Sequence, residues 1–315
     1  MQRFNATPSF LILLALSAAG CASTGSQGSQ PGSSSSAVMV ALEDARAYPA
    51  FDGSSGARLS FEQVLERAAA AHVVVIGETH DDAGGHAYQR AVVEALFERF
   101  PGSALALEML ERDEQDAVAD FEAGLVDAGM FATDTNSESW AGEGSWEAWY
   151  QPVIDAALEH DGRVIAANAP RRYVRVASRR GYGPLAAVDA RRRAYFDFPH
   201  GPQPEGYRER FFELMGGMGH GEGGMDEEMV ASVFRAQTMW DATMAGSVAA
   251  AAPGPARKVV LLVGQFHSDF EGGTVAQLRH LLPAVKVLVI SLQPAAAGAL
   301  AADDEGRADL VIYTG

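Results

Sequence analysis

Cysteine is almost absent: Cys21 stands alone in 315 residues, so no disulfide can form within the chain. Basic residues are scarce too, 24 Lys and Arg against 41 Asp and Glu, for a formal charge of −17 and a pI near 4.8. A surface of that sign argues against a nucleic-acid partner, because phosphate binding needs a cationic field. No stretch approaches the roughly 20 consecutive apolar residues that a membrane-spanning helix needs. Neither GxSxG, HExxH, a Walker A loop nor CxxCH occurs, which removes the serine elbow, the zinc-protease helix, the P-loop and covalent haem attachment. No repeat of fixed period is present, so a solenoid is not expected.

What the chain does have is a targeting signature at its start. Arg3 precedes a short apolar run, FLILLALSAA from Phe10, and AAGC closes it at Cys21. The pattern looks like a bacterial lipoprotein signal over residues 1–20, with Cys21 lipidated after cleavage; a plain secretory signal cut nearby is the alternative. Residues 22–37, ASTGSQGSQPGSSSSA, have almost nothing to bury and read as a flexible tether. A lipidated Cys21 and linker over 21–50 place a soluble domain, 51–315, beside a membrane without inserting it. The expected location is the cell envelope, at the outer membrane.

The body alternates helix and strand. LSFEQVLERAAAAH from Leu59, with Ser60 as N-cap, leads into HVVVIGETHDD, whose run Val73, Val74, Val75 and Ile76 predicts a strand buried on both faces. Helix HAYQRAVVEALFERF, strand SALALE, helices ERDEQDAVADFEAG and SWEAWYQPVIDAALEHDG and strand RVIAAN follow. Residues 171–255 read as a mainly helical insertion with one long helix to Ala250. Strand KVVLLVG, helix EGGTVAQLRHLLP and strands KVLVIS and DLVIYT complete the chain. Apolar strands without two-residue alternation predict an α/β fold, a mostly parallel sheet flanked by helices with a helical inserted subdomain.

In a parallel sheet the residues just past each strand gather on one rim, where open α/β folds bind ligands. Here those residues are Glu78 and His80, then Glu108, then Asn168, then His267 in GQFH. Two positions apart in extended chain, Glu78 and His80 point the same way, and Gly77 is expected to let the backbone turn out of the sheet. With Glu108 and His267 they offer a divalent-metal site or an acid and base pair, and neighbouring carboxylates are expected to raise one pKa. GETHDD alone also fits a plain turn in which Thr79 or Asp81 caps the next helix. His86 and Tyr88 read as helix-surface or supporting residues. Gln237 and Asp241, four apart, share a helix face.

Three features outside the strand ends carry less. RRYVRVASRR from Arg171 and RRR from Arg191 read as solvated helix faces. MGGMGHGEGGMDEEM contains GxGxxG by accident, since no strand precedes it. Its methionines and His220 are possible ligands for haem iron or copper, though a glycine-rich loop with incidental soft side chains accounts for them as well.

The ordered set GETHDD with HAYQ, ALEM with Gln115, SWEAWYQP, AANAPR, QTMWDATMA and GQFHSDFEGG resembles the ChaN family of haem-binding lipoproteins, grouped with the Tiki, TraB and erythromycin-esterase-like proteins. The resemblance runs from about Phe51 to the C-terminus. It implies haem as cofactor, a role in iron acquisition, and a cleft built from the two GxxH motifs and a carboxylate. It places Glu78, His80, Glu108 and His267 on positions that are catalytic or metal-binding in hydrolytic relatives. Asn168, Arg171, Gln237 and Asp241 match ChaN positions around the ligand, while His220, Tyr195 and Tyr207 fall in the variable insertion. The expected function is a membrane-tethered protein that binds haem or an iron complex. The alternative is a divalent-metal hydrolase of ester or amide bonds using the same cleft.

Overall fold

The structure is a computed structural model that describes residues 37–217, 227–251 and 253–315. Its strands are β1 (Ala50–Asp52), β2 (Arg58–Leu59), β3 (Val73–Glu78), β4 (Ala104–Glu111), β5 (Arg163–Asn168), β6 (Val259–Gly264), β7 (Val287–Gln293) and β8 (Leu310–Tyr313). They form one sheet in the order β2-β1-β8-β7-β3-β6-β4-β5. From β8 to β5 every pair is parallel, and β1 and β2 add an antiparallel edge. The six parallel strands are the six apolar runs of the sequence.

Helices cover both faces. On one side lie α1 (Leu42–Arg46), α2 (Phe61–Ala70), α3 (Ala83–Arg99), α4 (Gln115–Glu122), α5 (Ala128–Asp134) and α6 (Gln151–Leu158). The chain continues through α7 (Arg171–Arg180), α8 (Gly183–Ala186), α9 (Ala190–Arg193), α10 (Tyr207–Gly217), α11 (Glu227–Ala250) and α12 (Gly273–Leu281). Val74, Ile76, Leu105 and Leu107 face the first layer and pack with Val64, Val92, Leu96 and Ile154. Val73, Val75, Ala104 and Ala106 face the second layer, against Met244 and Val248 of α11 and Val275 and Leu278 of α12. Burial on both faces is why these strands show no alternation, each fully buried Val or Leu contributing about 1.5–3 kcal/mol.

Several local expectations change. The folded part starts before Phe51, because α1 lies within the expected linker and its Arg46 sits 3.6 Å from Glu94 of α3. The cap of α3 is Asp82, which accepts from the Gly84 amide at 3.0 Å, rather than Thr79 or Asp81. Gly77 makes no turn: it lies inside β3, and a Cβ there would meet Ser268 Oγ and the Gln265 backbone, so the glycine admits the loop after β6. Between 171 and 255 no strand occurs among the described residues, yet α11 belongs to the sheet's core as well as to the insertion. His220 lies outside the described residues. Among the described residues no helix is long and apolar enough to cross a membrane.

Candidate functional site

The site sits where β3, β6 and β4 end side by side. Glu78 is in register with Gly264, and Leu107, one residue before Glu108, with Leu262. Strand β6 therefore stands between the two carboxylates, and the loop it feeds carries His267. A Cβ built on Gly264 would lie 3.3 Å from His80 Nε2 and 3.5 Å from Glu108 Oε2, so the glycine leaves room for both.

Two imidazoles are each held by a buried carboxylate and a buried tyrosine. On the α3/α6 side, Glu78 Oε1 accepts from His80 Nδ1 at 2.8 Å and from the Tyr150 hydroxyl at 2.7 Å. Its Oε2 accepts from Gln89 Nε2 at 2.5 Å, with His86 Nδ1 3.7 Å away. Tyr150 is delivered by a single π-helical turn, Trp146–Tyr150, ahead of α6. On the α11 side, Asp241 Oδ1 pairs with His267 Nδ1 at 2.6 Å, and its Oδ2 accepts from the Tyr207 hydroxyl at 2.8 Å. Gln237 reaches the same imidazole, its Nε2 3.1 Å from Nδ1. Glu108 lies between the two sets, with Oε1 3.5 Å from His267 Nε2 and Oε2 accepting from the Gly264 amide at 2.5 Å.

The electrostatics follow from that pairing. Burial would raise Glu78, but the neighbouring His86 and His80 and the bonds from His80 and Gln89 bring it down to about 2. The expectation that crowded carboxylates raise one another is therefore corrected at Glu78, because imidazoles and amides separate it from Glu108. Burial would lower His80; the hydrogen bond and charge of Glu78, with Glu108 and Asp81, raise it to about 9. Burial opposes the charge of His267 as well, and Glu108 and Asp241 prevail to raise it. Tyr150 and Tyr207 are pushed well above their ordinary value, first by burial and then by their carboxylate partners.

The two imidazoles differ in access. His267 is buried, whereas the His80 side chain keeps 31% of its surface exposed, and among the described residues no hydrogen bond engages its Nε2. Trp140 meets its ring edge-on at 6.1 Å, and Arg171 lies over the Trp140 ring at 5.2 Å while pairing with Glu111 at 3.4 Å. An uncommitted imidazole nitrogen, an aromatic wall and a half-exposed guanidinium thus share the rim. As a donor set they suit an iron porphyrin, which wants one nitrogen ligand, apolar contact for its ring and a cation for its carboxylates.

The remaining expected residues have structural duties. Asn168 donates to the Glu108 carbonyl at 2.9 Å and accepts from the Ala169 amide, tying β5 to β4. Gln115 bonds Val164 O and the Ala166 amide, satisfying the free edge of β5. His86 and Tyr88 are buried, not on the helix surface; His86 Nε2 donates to the His80 carbonyl at 3.0 Å. Tyr195 stacks on Tyr173. Among the described residues no group of three or more His, Cys, Asp or Glu is placed to hold a metal ion. Of the residues expected as divalent-metal ligands, Glu78 is engaged by His80, Tyr150 and Gln89, and His267 by Asp241 and Gln237. A cavity of about 370 Å³ lies at the opposite, amino ends of the strands, beside Arg67, Ala71 and Lys286. Gln89, Tyr150 and the role of Tyr207 were not legible as site features, since they arrive from helices rather than strand ends.

A mostly parallel sheet flanked by helices, with two carboxylate-bound imidazoles gathered on its carboxyl rim, defines an α/β protein whose candidate ligand site is that rim. The chain belongs to the family described as haem-binding uptake, Tiki superfamily, ChaN, which it matches over residues 64–278. Among solved structures it is similar to ChaN of Campylobacter jejuni, a structure of cofacial haem binding, with a TM-score of 0.64 and 17% identity over 84% of this chain and 96% of that one. The two share a fold. Less similar are the type III effector HopBA1 (TM-score 0.44, 13% identity, 85% and 97% covered) and an erythromycin esterase mutant in its open conformation (0.43, 11%, 84% and 82%). No curated protein matches the chain.

Proposed function

We propose that this protein binds haem at the carboxyl rim of its sheet, with His80 Nε2 as an iron ligand and Arg171 meeting a carboxylate of the ligand. It does so as a protein lipidated at Cys21 and anchored in the cell envelope, at the outer membrane, in the service of iron acquisition. Family membership supports the ligand class. The observation that carries the residue assignment is His80: one ring nitrogen is fixed by a buried carboxylate, and the other is uncommitted on an exposed rim. Such an outer partner orients a ligating imidazole and raises its basicity. Bound haem would supply iron-centred chemistry; Glu78, Tyr150 and Gln89 supply the orientation of His80.

The divalent-metal hydrolase reading asks the same side chains to be metal ligands. Both oxygens of Glu78 already accept, from His80, Tyr150 and Gln89, which supports haem over a divalent ion held by that carboxylate. The test is a hemin titration of the purified chain followed by its Soret band. A shift saturating at a fixed stoichiometry is expected, weakened at least tenfold in His80→Ala and little changed in His267→Ala. Absence of a shift in the parent, or equal binding by His80→Ala, overturns the assignment.

A further inference from the structure

The two arginine runs of α7 and α9 are, Arg171 apart, unused by the site. Between positions 171 and 193 stand eight arginines against one aspartate, a formal +7 within a chain of −17. On so acidic a protein, local pairing would be expected to cancel such a segment. It does so only in part. Arg172 pairs with Asp113, Arg192 with Asp189, and Arg193 lies 3.4 Å from Asp197. Arg175, Arg179, Arg180 and Arg191 are exposed, with no ion pair among the described residues.

The fold joins the two runs into one face. Helix α7 turns Val174 and Ala177 inward, leaving Arg175 and Arg179, one helical turn apart, on its outer side. Tyr195, just after α9, stacks on Tyr173 of α7 at 6.3 Å, and Arg172 lies over both rings at 4.7 and 5.6 Å. Arg172 of α7 thus bridges to the segment after α9 across a pair of half-buried tyrosines.

We infer that this face docks on an anionic membrane surface, its guanidinium groups binding phospholipid phosphates. Planar guanidinium forks match phosphate oxygens, and tyrosines suit the zone between headgroups and acyl chains. What favours a bilayer over a soluble polyanion is where the chain enters the fold. The Val38 carbonyl accepts from Trp149 Nε1 at 2.8 Å, Trp149 stacks on His86 at 4.9 Å, and His86 bonds the His80 backbone. From His80 the contacts pass through Trp140 to Arg171, the first residue of α7. The entering chain and the basic face therefore border one rim, so an anchor and the arginines can engage one bilayer together. This rests on the anchored reading above, and polybasic faces commonly supplement a lipid anchor.

Flotation of the full chain with vesicles of phosphatidylcholine, alone or mixed with phosphatidylglycerol, tests it. The parent is expected to favour the anionic vesicles about tenfold, less so at high salt. The variant Arg175→Glu, Arg179→Glu, Arg180→Glu should lose that preference while keeping its hemin titration, which reports folding. No anionic preference in the parent, or the same preference in the variant, overturns the inference. Binding to heparin without preference for anionic vesicles would assign the face to a soluble polyanion and overturn it too. Cys21→Ser separates the two readings: it should reduce binding to both vesicle types, and a Cys21→Ser chain that binds as the parent does sinks the anchor while leaving the anionic preference to be judged on its own.

Discussion

Glu78 Oε1 receives two hydrogen bonds at once, from His80 Nδ1 at 2.8 Å and from the Tyr150 hydroxyl at 2.7 Å. An oxygen so engaged orients the imidazole and has no lone pair to spare for chemistry. Tyr150→Phe removes one donor and keeps the ring. A hydrogen bond to a buried charge is worth about 1.5–3 kcal/mol, and that loss is expected in urea unfolding. With less competition for the carboxylate, His80 should titrate higher than in the parent, read by imidazole NMR.

The same pair sets a stability window. Glu78 at about 2 in the folded state lies below its ordinary 4.5, so its contribution is present above pH 4.5 and lost as pH falls towards 2. His80 at about 9 lies above its ordinary 6.5, so its contribution is present below pH 6.5 and lost as pH rises through 9. Both shifts express one attraction, on the order of 3 kcal/mol by linkage. Unfolding free energy should therefore be greatest between about pH 4.5 and 6.5 on this account, and Glu78→Gln should flatten both flanks. Equal slopes in parent and variant would refute the assignment.

Gly264 makes a steric prediction. Its φ of −57° is open to any residue, so only space demands glycine. In Gly264→Ala the methyl sits 3.2 Å from His80 Cε1 and displaces the imidazole. Hemin affinity should fall at least tenfold with little change in circular dichroism.

Asp241→Asn isolates the second imidazole. It removes a buried charge 2.6 Å from His267 Nδ1 and should cost about 2–3 kcal/mol in chemical denaturation. Because His80 has its own carboxylate, the hemin titration midpoint should stay within about twofold of the parent, which is roughly 0.4 kcal/mol.

Much of this architecture was legible because burial on both faces writes itself as unbroken apolar runs, and all six parallel strands announced themselves that way. β1 and β2 did not: three and two residues long, they carry no periodicity, and β1 is recognised only by its pairing with β2 and β8. Glu108 was expected at a strand end, yet β4 runs on to Glu111 through an irregularity in its register with β5, which composition cannot reveal. The rim residues were found by topology, but Tyr150 and Gln89 were not. Nothing in a local pattern tells a buried tyrosine that donates to a carboxylate from one that fills a core, as Tyr88 does.

The middle strand has one more effect. β6 separates β3 from β4, though it follows β4 by roughly 150 positions and β3 by roughly 180, and the rim is incomplete without it. A nascent polypeptide still lacking Val259–Gly264 cannot close the sheet, and such distant pairings are slow to form. Assembly of the rim therefore waits on a strand from the late part of the chain, after both strands that it joins.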